Sequence, residues 1–299
     1  MNDGILLIDK PAGITSHDVV GKVRRLYRTR QVGHTGTLDP MATGLLVVLV
    51  GRAVKASEYA IEHDKGYRAG LQLGITTDTE DMTGRELTRC ETLPSSDRVQ
   101  ETVRAFCGEL WQVPPMYSAL KRDGEKLCDL ARRGVEVARE ARPITVYRLH
   151  CKTESEAEGR YELAVSCSKG TYIRTLCADI GKALGCGGVM SSLCRTEAGS
   201  FSLTEAVTIE ALEAMTDAAR EALLRPVEDL FAALPLLRLP PFFARLALAG
   251  NEIYLKKLGI SYPLGQRVRL YDDSFFSLGE VREYEEGLAV KPIKKFRLV

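Results

Sequence analysis

A strict two-residue alternation from Tyr67 to Ile75 constrains the fold of this chain more than any other local pattern. Apolar or aromatic side chains occupy every second position of this stretch. Because the side chains of a strand alternate between its two faces, the pattern predicts a strand with an inward-facing row that ends at Tyr67. Residues 45–50 are all apolar and predict a second, buried strand.

Helical spacing of apolar residues marks other parts of the chain. Thr15 offers an N-cap for a helix with one apolar face. The opposite face of this helix is basic, and the basic residues continue beyond it, from residue 22 to residue 30. A further helix is predicted from Ile173, because apolar residues recur at helical spacing until the glycines in residues 185–188 end it. The acidic segment 205–229 is predicted to be helical, with a solvated outer face.

Length and composition bound the class of protein. The chain has 299 residues, a net charge of +1 and 45% apolar residues, which is typical of a globular protein with a sizeable core. No apolar run approaches the ~20 residues of a membrane helix, and no signal peptide is visible, so we expect a cytoplasmic protein. The eight cysteines form no C-x-x-C pair and the four histidines are scattered. We therefore expect no metal site and mostly buried, reduced cysteines.

A proline-rich segment divides the chain near its C-terminal end. Residues 235–241 contain three prolines and are interpreted as a linker. Beyond them, residues 265–299 contain short alternating stretches, which predict a small β domain. We therefore expect two domains, residues 1–232 and residues 233–299.

The segment 33–40 (GHTGTLDP) places His34 and Asp39 in a loop rich in glycine. Pro40 pushes Asp39 towards an extended conformation, and the glycines allow unusual backbone angles. The Gly-Lys-Ser/Thr of a phosphate-binding P-loop is missing. The residues alone predict a tight loop that presents a histidine and a carboxylate beside a buried strand, and they leave the reaction open.

Several longer motifs in one order give the chain a family resemblance. Residues 33–46 (GHTGTLDPMATGLL) resemble the catalytic motif of the TruB family of pseudouridine synthases. Five more segments resemble motifs of that family, in the family's order: residues 4–13 (GILLIDKPAG), 65–81 (KGYRAGLQLGITTDTED), 114–121 (PPMYSALK), 139–147 (REARPITVY) and 166–174 (SCSKGTYIR). The resemblance covers about residues 4–200, and several ordered motifs are far more specific than one.

The resemblance implies both a fold and a reaction. The implied fold is α+β: a mixed, mainly antiparallel central sheet flanked by helices, followed by a small C-terminal β domain that resembles a PUA-like RNA-binding module. The implied reaction converts the T-arm uridine at tRNA position 55 to pseudouridine. It breaks the bond between ribose C1′ and uracil N1 and rejoins the base through C5. No redox cofactor takes part, and we expect no cofactor.

The carboxylate of Asp39 is the implied nucleophile, because a carboxylate can attack the ribose or the uracil ring. Arg174 resembles the family arginine that pairs with this aspartate. Lys10 belongs to the family's first motif, and we interpret it as structural support for the catalytic loop.

Four other residues match family positions that contact the substrate. Tyr67 resembles the tyrosine that stacks on the target base, and Tyr172 and Leu193 match positions that line the base pocket. His34 resembles the residue that fills the gap left by the flipped base, since a stacked uridine must be extruded before it can react. Without the resemblance, an ordinary core position is the better interpretation of Tyr67, and a polar surface position that of His34.

Two basic segments are candidates for phosphate contacts, residues 22–30 and residues 121–148. The second corresponds to an insertion, about residues 115–145, that closes over the RNA in the family. The segment 187–195 departs from the family, which has a more basic and bulkier sequence there, and Cys194 stands where an arginine is common.

The expected partner is the T-arm stem-loop of tRNA, bound by a monomer that requires no guide RNA and no other protein. Two alternatives stay open. One is a related synthase that modifies ribosomal RNA within a guide-RNA complex, and the other is a non-catalytic role in RNA binding or tRNA folding. The complete set of Asp39, Tyr67 and Arg174 argues against a role that is only non-catalytic.

Overall fold

Two sheets organise the chain, and a computed structural model describes residues 3–60, 64–118, 120–122 and 124–297. The strands within those ranges are, in chain order, β1 (Gly4–Lys10), β2 (Val32–His34), β3 (Thr43–Val50), β4 (Lys65–Leu73), β5 (Ile75–Thr77), β6 (Glu86–Arg89), β7 (Gly108–Gln112), β8 (Lys121–Arg122), β9 (Glu125–Lys126), β10 (Arg142–Ser155), β11 (Arg160–Cys167), β12 (Gly188–Ala198), β13 (Phe201–Ser202), β14 (Val207–Thr208), β15 (Leu236–Arg238), β16 (Ile253–Tyr254), β17 (Arg267–Tyr271), β18 (Phe275–Tyr284) and β19 (Gly287–Lys295).

Helices cover the sheets and their edges. The α-helices of the described residues are α1 (Ser16–Leu26), α2 (Ser57–Ala60), α3 (Ser96–Arg104), α4 (Leu127–Arg132), α5 (Ile173–Leu184), α6 (Ile209–Ala214), α7 (Asp217–Ala222), α8 (Pro241–Ala249) and α9 (Leu255–Leu258). Short 3-10 helices lie at Gly51–Ala56, Leu203–Glu205 and Val227–Phe231. Over the same part of the chain, no helix is both long and apolar enough to cross a membrane.

The main sheet has the strand order β14–β1–β3–β12–β4–β11–β10–β7, with β2 beside β3 and β13 beside β12. The pairs β1–β14 and β3–β12 are parallel, and the remaining pairs of this sheet are antiparallel. The small sheet has the order β15–β17–β18–β19–β16. The predicted α+β class is confirmed, both in its mixed, mainly antiparallel central sheet and in its small C-terminal sheet.

The neighbouring strands β1 and β3 of the main sheet are buried on both faces. On β3, Leu45, Val47 and Leu49 face a core that also contains residues of the small sheet. The alternate residues Leu46, Val48 and Val50 face a second core, covered by α1 and α6. A strand with two buried faces needs apolar residues at every position, which explains the unbroken run in residues 45–50.

A capping box starts α1 at the predicted N-cap. The hydroxyl of Thr15 accepts a hydrogen bond from the N–H of Asp18 (3.0 Å), and the carboxylate of Asp18 accepts one from the N–H of Thr15 (2.8 Å). These reciprocal bonds satisfy backbone donors that a helix start otherwise leaves open. Val19, Val20 and Val23 then bury the apolar face of the helix.

The predicted row from Tyr67 to Ile75 is interrupted in the structure. The strand β4 ends at Leu73, because Gly74 adopts a positive φ of 89° and turns the chain. Ile75 begins the separate strand β5, which pairs with β6 as a hairpin. The polar residues after Ile75 therefore begin a hairpin.

The acidic segment 205–229 contacts basic residues of α1 and of the turn that follows it. Lys22 Nζ lies 3.1 Å from Glu213 Oε1, and Arg28 Nη2 lies 3.1 Å from Asp217 Oδ2. The predicted helical segment is not continuous: it breaks into α6, α7, β14 and two 3-10 helices, and most of its residues are exposed or half-buried, as expected of a solvated outer face. Two of the cations that were candidates for phosphate contacts thus already have carboxylate partners.

The proline-rich segment 235–241 is ordered secondary structure rather than a linker. Residues Leu236–Arg238 form β15, which pairs in parallel with β17, and Pro241 is the first residue of α8. Proline fits this helix position because the N–H that it lacks would have no partner there. The domain boundary at residue 232 stays a prediction.

The expectation that the cysteines are mostly buried is wrong. All eight are free thiols, and three of them, Cys167, Cys177 and Cys186, are buried, whereas Cys107 is exposed. The buried three lie in the core between α5 and the main sheet, where a thiol packs as a small apolar group.

The two glycines inside α1 and α5 give a matched test of packing. A Cβ on Gly181 of α5 would lie 2.1 Å from the backbone N of Gly188, whereas a Cβ on Gly21 of α1 would meet nothing within 4 Å. We expect Gly181→Ala to lower the free energy of unfolding by about 1–3 kcal/mol through overpacking. Gly21→Ala should leave it unchanged or raise it by about 0.5–1 kcal/mol. Thermal unfolding midpoints of the two variants would show this, and equal midpoints would contradict the close approach of α5 to β12.

Candidate active site

A cavity of about 440 Å³ opens where the loop between β2 and β3, the start of α5, and the strands β4 and β12 meet. Six of the seven residues singled out from the sequence, all except Lys10, line it: His34, Asp39, Tyr67, Tyr172, Arg174 and Leu193. The fold therefore gathers side chains that are far apart along the chain around one space.

The loop that carries Asp39 is fastened to the start of α1. The hydroxyl of the buried Ser16 accepts a hydrogen bond from the N–H of Leu38 (2.9 Å) and donates one to the carbonyl of Leu38 (3.1 Å). The carbonyl of Asp39 accepts a bond from the N–H of Ala42 (3.0 Å), which closes a tight turn. The side chain of Asp39 remains 37% exposed, so a substrate can reach it.

Lys10 also holds this loop. Its Nζ donates to the carbonyls of Pro11 (2.9 Å), Ile14 (2.7 Å) and Pro40 (3.3 Å). The side chain is wholly buried, and burial lowers the pKa of Lys10, an effect that the charge of Asp39 partly offsets. These are the contacts of a structural support for the loop, as expected from the sequence.

Arg174, in the first turn of α5, forms an ion pair with Asp39. Its Nε lies 3.2 Å from Asp39 Oδ2. The remaining donors bind backbone carbonyls: Nη1 donates to Thr79 (3.3 Å) and Nη2 to Tyr117 (2.8 Å). Only 8% of the side chain is exposed, so these bonds replace the water that the guanidinium has lost.

A second carboxylate, Asp81, lies on the other side of this arginine. Its Oδ2 is 3.7 Å from Arg174 Nη1, and its Oδ1 accepts hydrogen bonds from Thr79 Oγ1 (2.8 Å) and from Thr83 Oγ1 (2.6 Å) and N–H (2.9 Å). Asp81 was not among the residues predicted from the sequence. The one indication of its importance in the sequence was its position as the last residue of the motif 65–81. Within the described ranges, no group of three or more His, Cys, Asp or Glu side chains could hold a metal ion.

A second residue missed from the sequence is Arg195, on β12. Its side chain is almost fully buried, with Nε donating to the carbonyl of Leu45 (2.7 Å) and Nη2 to that of Gly36 (3.1 Å). The positive charge of Arg195 also acts on the hydroxyl of Tyr67. Burial raises the pKa of Tyr67 and Arg195 opposes that rise, so the phenol stays protonated at neutral pH. The sequence did contain an indication of this role, because Arg195 follows Leu193 by two positions and so lies on the same face of the strand.

Lys65, at the start of β4, brings another cation to the cavity wall. Burial, reinforced by the charges of Arg195 and Lys169, lowers the pKa of Lys65 to about 8. This wall therefore loses one positive charge as the pH rises through that value.

Tyr172, Leu193 and His34 form different parts of the wall. Tyr172 is the N-cap of α5, and burial raises the pKa of its hydroxyl. Leu193 pairs with Ala69 of β4 and is 9% exposed. Burial, followed by the charge of Arg195, lowers the pKa of His34, which keeps its imidazole neutral at neutral pH.

The arrangement can hold a planar ring beside an anion. Aromatic and aliphatic side chains from β4, β12 and α5 line the cavity, and the carboxylate of Asp39 stands among them. A carboxylate fixed by an arginine and still open to a substrate can act as a nucleophile. The cavity volume lies in the range of small-molecule sites, roughly 300–1,000 Å³.

Comparison with known proteins agrees with this geometry. A family model described as TruB family pseudouridylate synthase (N terminal domain) matches residues 24–173, and one described as tRNA pseudouridylate synthase B C-terminal domain matches residues 174–232. A protein of Alkaliphilus oremlandii named tRNA pseudouridine synthase B is 45% identical over 99% of this chain and 98% of its own length. One of the same name from Aromatoleum aromaticum is 44% identical over 93% of this chain and 88% of its own length.

Solved structures show the same fold at lower identity. The chain is similar to a protein in the crystal structure of a Cbf5-Nop10-Gar1 complex, with a TM-score of 0.73 and 23% identity, over 99% of this chain and 86% of the other. It is also similar to a protein in an H/ACA RNP bound to a substrate RNA, with a TM-score of 0.72 and 22% identity, over 98% and 85%. Since half of the chain matches the N-terminal family model and the Alkaliphilus relative matches along nearly its whole length, the chain belongs to the TruB family of pseudouridylate synthases.

Proposed function

We propose that this chain converts a uridine of tRNA to pseudouridine, at position 55 in the T-arm, with Asp39 as the nucleophile. The observation that carries the proposal is the carboxylate of Asp39, fixed 3.2 Å from Arg174 on the wall of the cavity yet still open to solvent. The relatives named tRNA pseudouridine synthase B, which match over most of the chain, supply the substrate class.

The reaction balances without a cofactor. The bond between C1′ and N1 breaks, the uracil turns within the cavity, and a bond between C1′ and C5 forms. C5 loses its proton and N1 gains one, so the product is an isomer of the substrate. Asp39 attacks the nucleotide, at the ribose or at the ring, and is released when the new bond is complete.

The walls of the cavity hold the base while it is detached. In this proposal the ring of Tyr67 stacks on the uracil, and Tyr172 and Leu193 enclose it. Stacking and apolar contact hold a flat ring without fixing one edge. The base can therefore turn from its N1 edge to its C5 edge while it stays in place.

Access to Asp39 requires the uridine to leave its stack in the tRNA. The proposed role of His34 is to occupy the space that the flipped base leaves. Its lowered pKa supports that role, because a neutral imidazole can enter a base stack without the cost of burying a charge.

The remaining parts of the proposal concern the partner. The insertion of about residues 115–145 closes over the RNA, and the small C-terminal sheet contributes further RNA contacts. The enzyme acts in the cytoplasm on free tRNA, as a monomer, without a guide RNA or a protein partner. Mapping pseudouridine at nucleotide resolution on tRNA incubated with the purified protein alone tests this. Modification that requires a guide RNA would favour the rival synthase of a guide-RNA complex.

The nucleophile gives the first prediction of activity. Asp39→Asn should reduce pseudouridine formation to below about one thousandth of the wild-type rate, because an amide cannot replace the attacking carboxylate. Its affinity for tRNA should stay within a few-fold of wild type, because phosphate contacts supply most of that affinity. Asp97→Asn, at an exposed position of α3, is the matched control and should be fully active. Normal turnover by Asp39→Asn would refute the mechanism.

The second carboxylate gives a separate prediction. Asp81→Asn keeps an oxygen for the bonds from Thr79 and Thr83 but removes a negative charge beside the buried Arg174. We expect kcat to fall about 30-fold, which corresponds to about 2 kcal/mol of transition-state stabilisation. Asp78→Asn, in the same turn, should retain normal kcat, because Asp78 Oδ1 accepts a hydrogen bond from Arg85 N–H (2.8 Å), at a distance from the guanidinium along the turn. Equal kcat for both variants would show that Asp81 has no influence on the site.

The lowered pKa of Lys65 gives a pH dependence of binding. Free protein loses this charge above about pH 8, whereas bound RNA, a polyanion, favours the protonated amine. Affinity for tRNA should therefore fall as the pH rises, by up to about fourfold between pH 6.5 and 8.5. Lys65→Met should flatten this dependence, and Lys152→Met, at an exposed position of β10, should retain it. Parallel pH profiles for the wild type and Lys65→Met in a binding titration would contradict the prediction.

A further inference from the structure

Gln112, the last residue of β7, holds the backbone of Tyr172 at two points. Its Nε2 donates a hydrogen bond to the carbonyl of Tyr172 (3.0 Å), and its Oε1 accepts one from the N–H of Tyr172 (2.8 Å). Only 3% of Gln112 is exposed. Buried polar atoms require partners, so the carboxamide and the N–H of Tyr172 depend on this contact, while the carbonyl of Tyr172 also accepts the first bond of α5, from Leu176 N–H (3.0 Å).

The contact replaces an ordinary helix cap. Tyr172 is the N-cap residue of α5, and its side chain makes no capping hydrogen bond. Serine, threonine, aspartate and asparagine are preferred at this position because their oxygen fixes the first turn. The N-cap of α5 is a tyrosine instead, and the carboxamide of Gln112 fixes its backbone from β7. The place where α5 begins is therefore set by β7.

The same stretch of chain also reaches the catalytic ion pair. Arg174 follows Tyr172 by two positions, and its Nη2 donates to the carbonyl of Tyr117, five positions after Gln112. Residues 112–117 thus hold both the backbone of Tyr172 and the guanidinium of Arg174. A displacement of this stretch relative to α5 would move the wall of the base pocket and the partner of Asp39 together.

We propose that Gln112 is a positioning residue for the reaction: its paired hydrogen bonds to Tyr172 place the ring that encloses the uracil and the arginine that holds Asp39. This inference rests on the proposed function. Gln112 is absent from the described residues that line the cavity, so it acts through α5 rather than on the substrate. A misplacement of about 1 Å at a catalytic group can cost on the order of a hundredfold in rate.

The first test removes both hydrogen bonds at nearly constant size. Gln112→Met should lower kcat by about 10- to 100-fold and leave KM for tRNA within about threefold, because phosphate contacts rather than the base pocket supply most of the RNA affinity. Gln72→Met is the matched control: Gln72 also donates to backbone carbonyls, those of Leu73 (2.9 Å) and Glu158 (2.7 Å), at the end of β4 away from the cavity. Both variants should lose thermal stability, and only the first should lose kcat. Equal kcat for the two would overturn the proposal.

The second test uses a carboxyl group that can restore the two hydrogen bonds when it is protonated. In Gln112→Glu the ionised carboxylate faces the carbonyl of Tyr172 and repels it. The protonated acid can donate to that carbonyl and accept from the N–H, as the amide does. The ratio of kcat for Gln112→Glu to kcat for the wild type should therefore rise at least about fivefold from pH 8 to pH 5.5, since burial raises the pKa of such a carboxyl. A ratio that does not change with pH would overturn the proposal, even if Gln112→Met fails to fold.

The wild type and Asp39→Asn, measured in parallel, separate this inference from the function on which it rests. If the wild type forms no pseudouridine in tRNA, or Asp39→Asn keeps full activity, the proposed function fails. If the wild type is active, Asp39→Asn is inactive and both Gln112 variants turn over normally at every pH, the positioning role alone fails.

Discussion

The ion pair between Arg174 and Asp39 is the interaction on which the rest of the site depends. Burying a guanidinium is costly unless charge and hydrogen bonds replace its water. Here the replacements come from three separate segments: the catalytic loop through Asp39, the turn after β5 through Asp81 and the carbonyl of Thr79, and the entry to the insertion through the carbonyl of Tyr117. One buried side chain thereby fixes three otherwise independent loops around the cavity.

Two other buried cations stabilise the loop that carries the nucleophile, and both do so through backbone carbonyls. Lys10 binds the carbonyl of Pro40 on one side of Asp39, and Arg195 binds those of Gly36 and Leu45 on either side of it. These contacts leave the carboxylate itself unused. The loop can therefore be rigid while its one reactive group stays available, which is the condition for a preorganised nucleophile.

Much of the fold could be predicted because its signals are local. The apolar run in residues 45–50, the cap at Thr15 and the glycine stop after α5 each depend on a few neighbouring residues, and each is where it was expected. The motifs also pointed to the residues that gather around the cavity. Arg195 and Asp81 were missed because their importance lies in partners distant along the chain. The linker prediction was wrong for the same reason: the pairing of β15 with the distant β17 decides the structure of that segment.

The small C-terminal sheet shares an apolar core with the main sheet. Phe275 and Phe296 pack on Phe231 with ring centroids 6.0 and 5.6 Å apart, and this cluster continues to Leu7 and Leu49 of the main sheet. A chain cut before β15 would leave that apolar face of the catalytic part open to water. The small sheet is thus a structural wall of the enzyme as well as a module. An evolutionary exchange of this part for an unrelated domain would require the main sheet to change its buried surface at the same time.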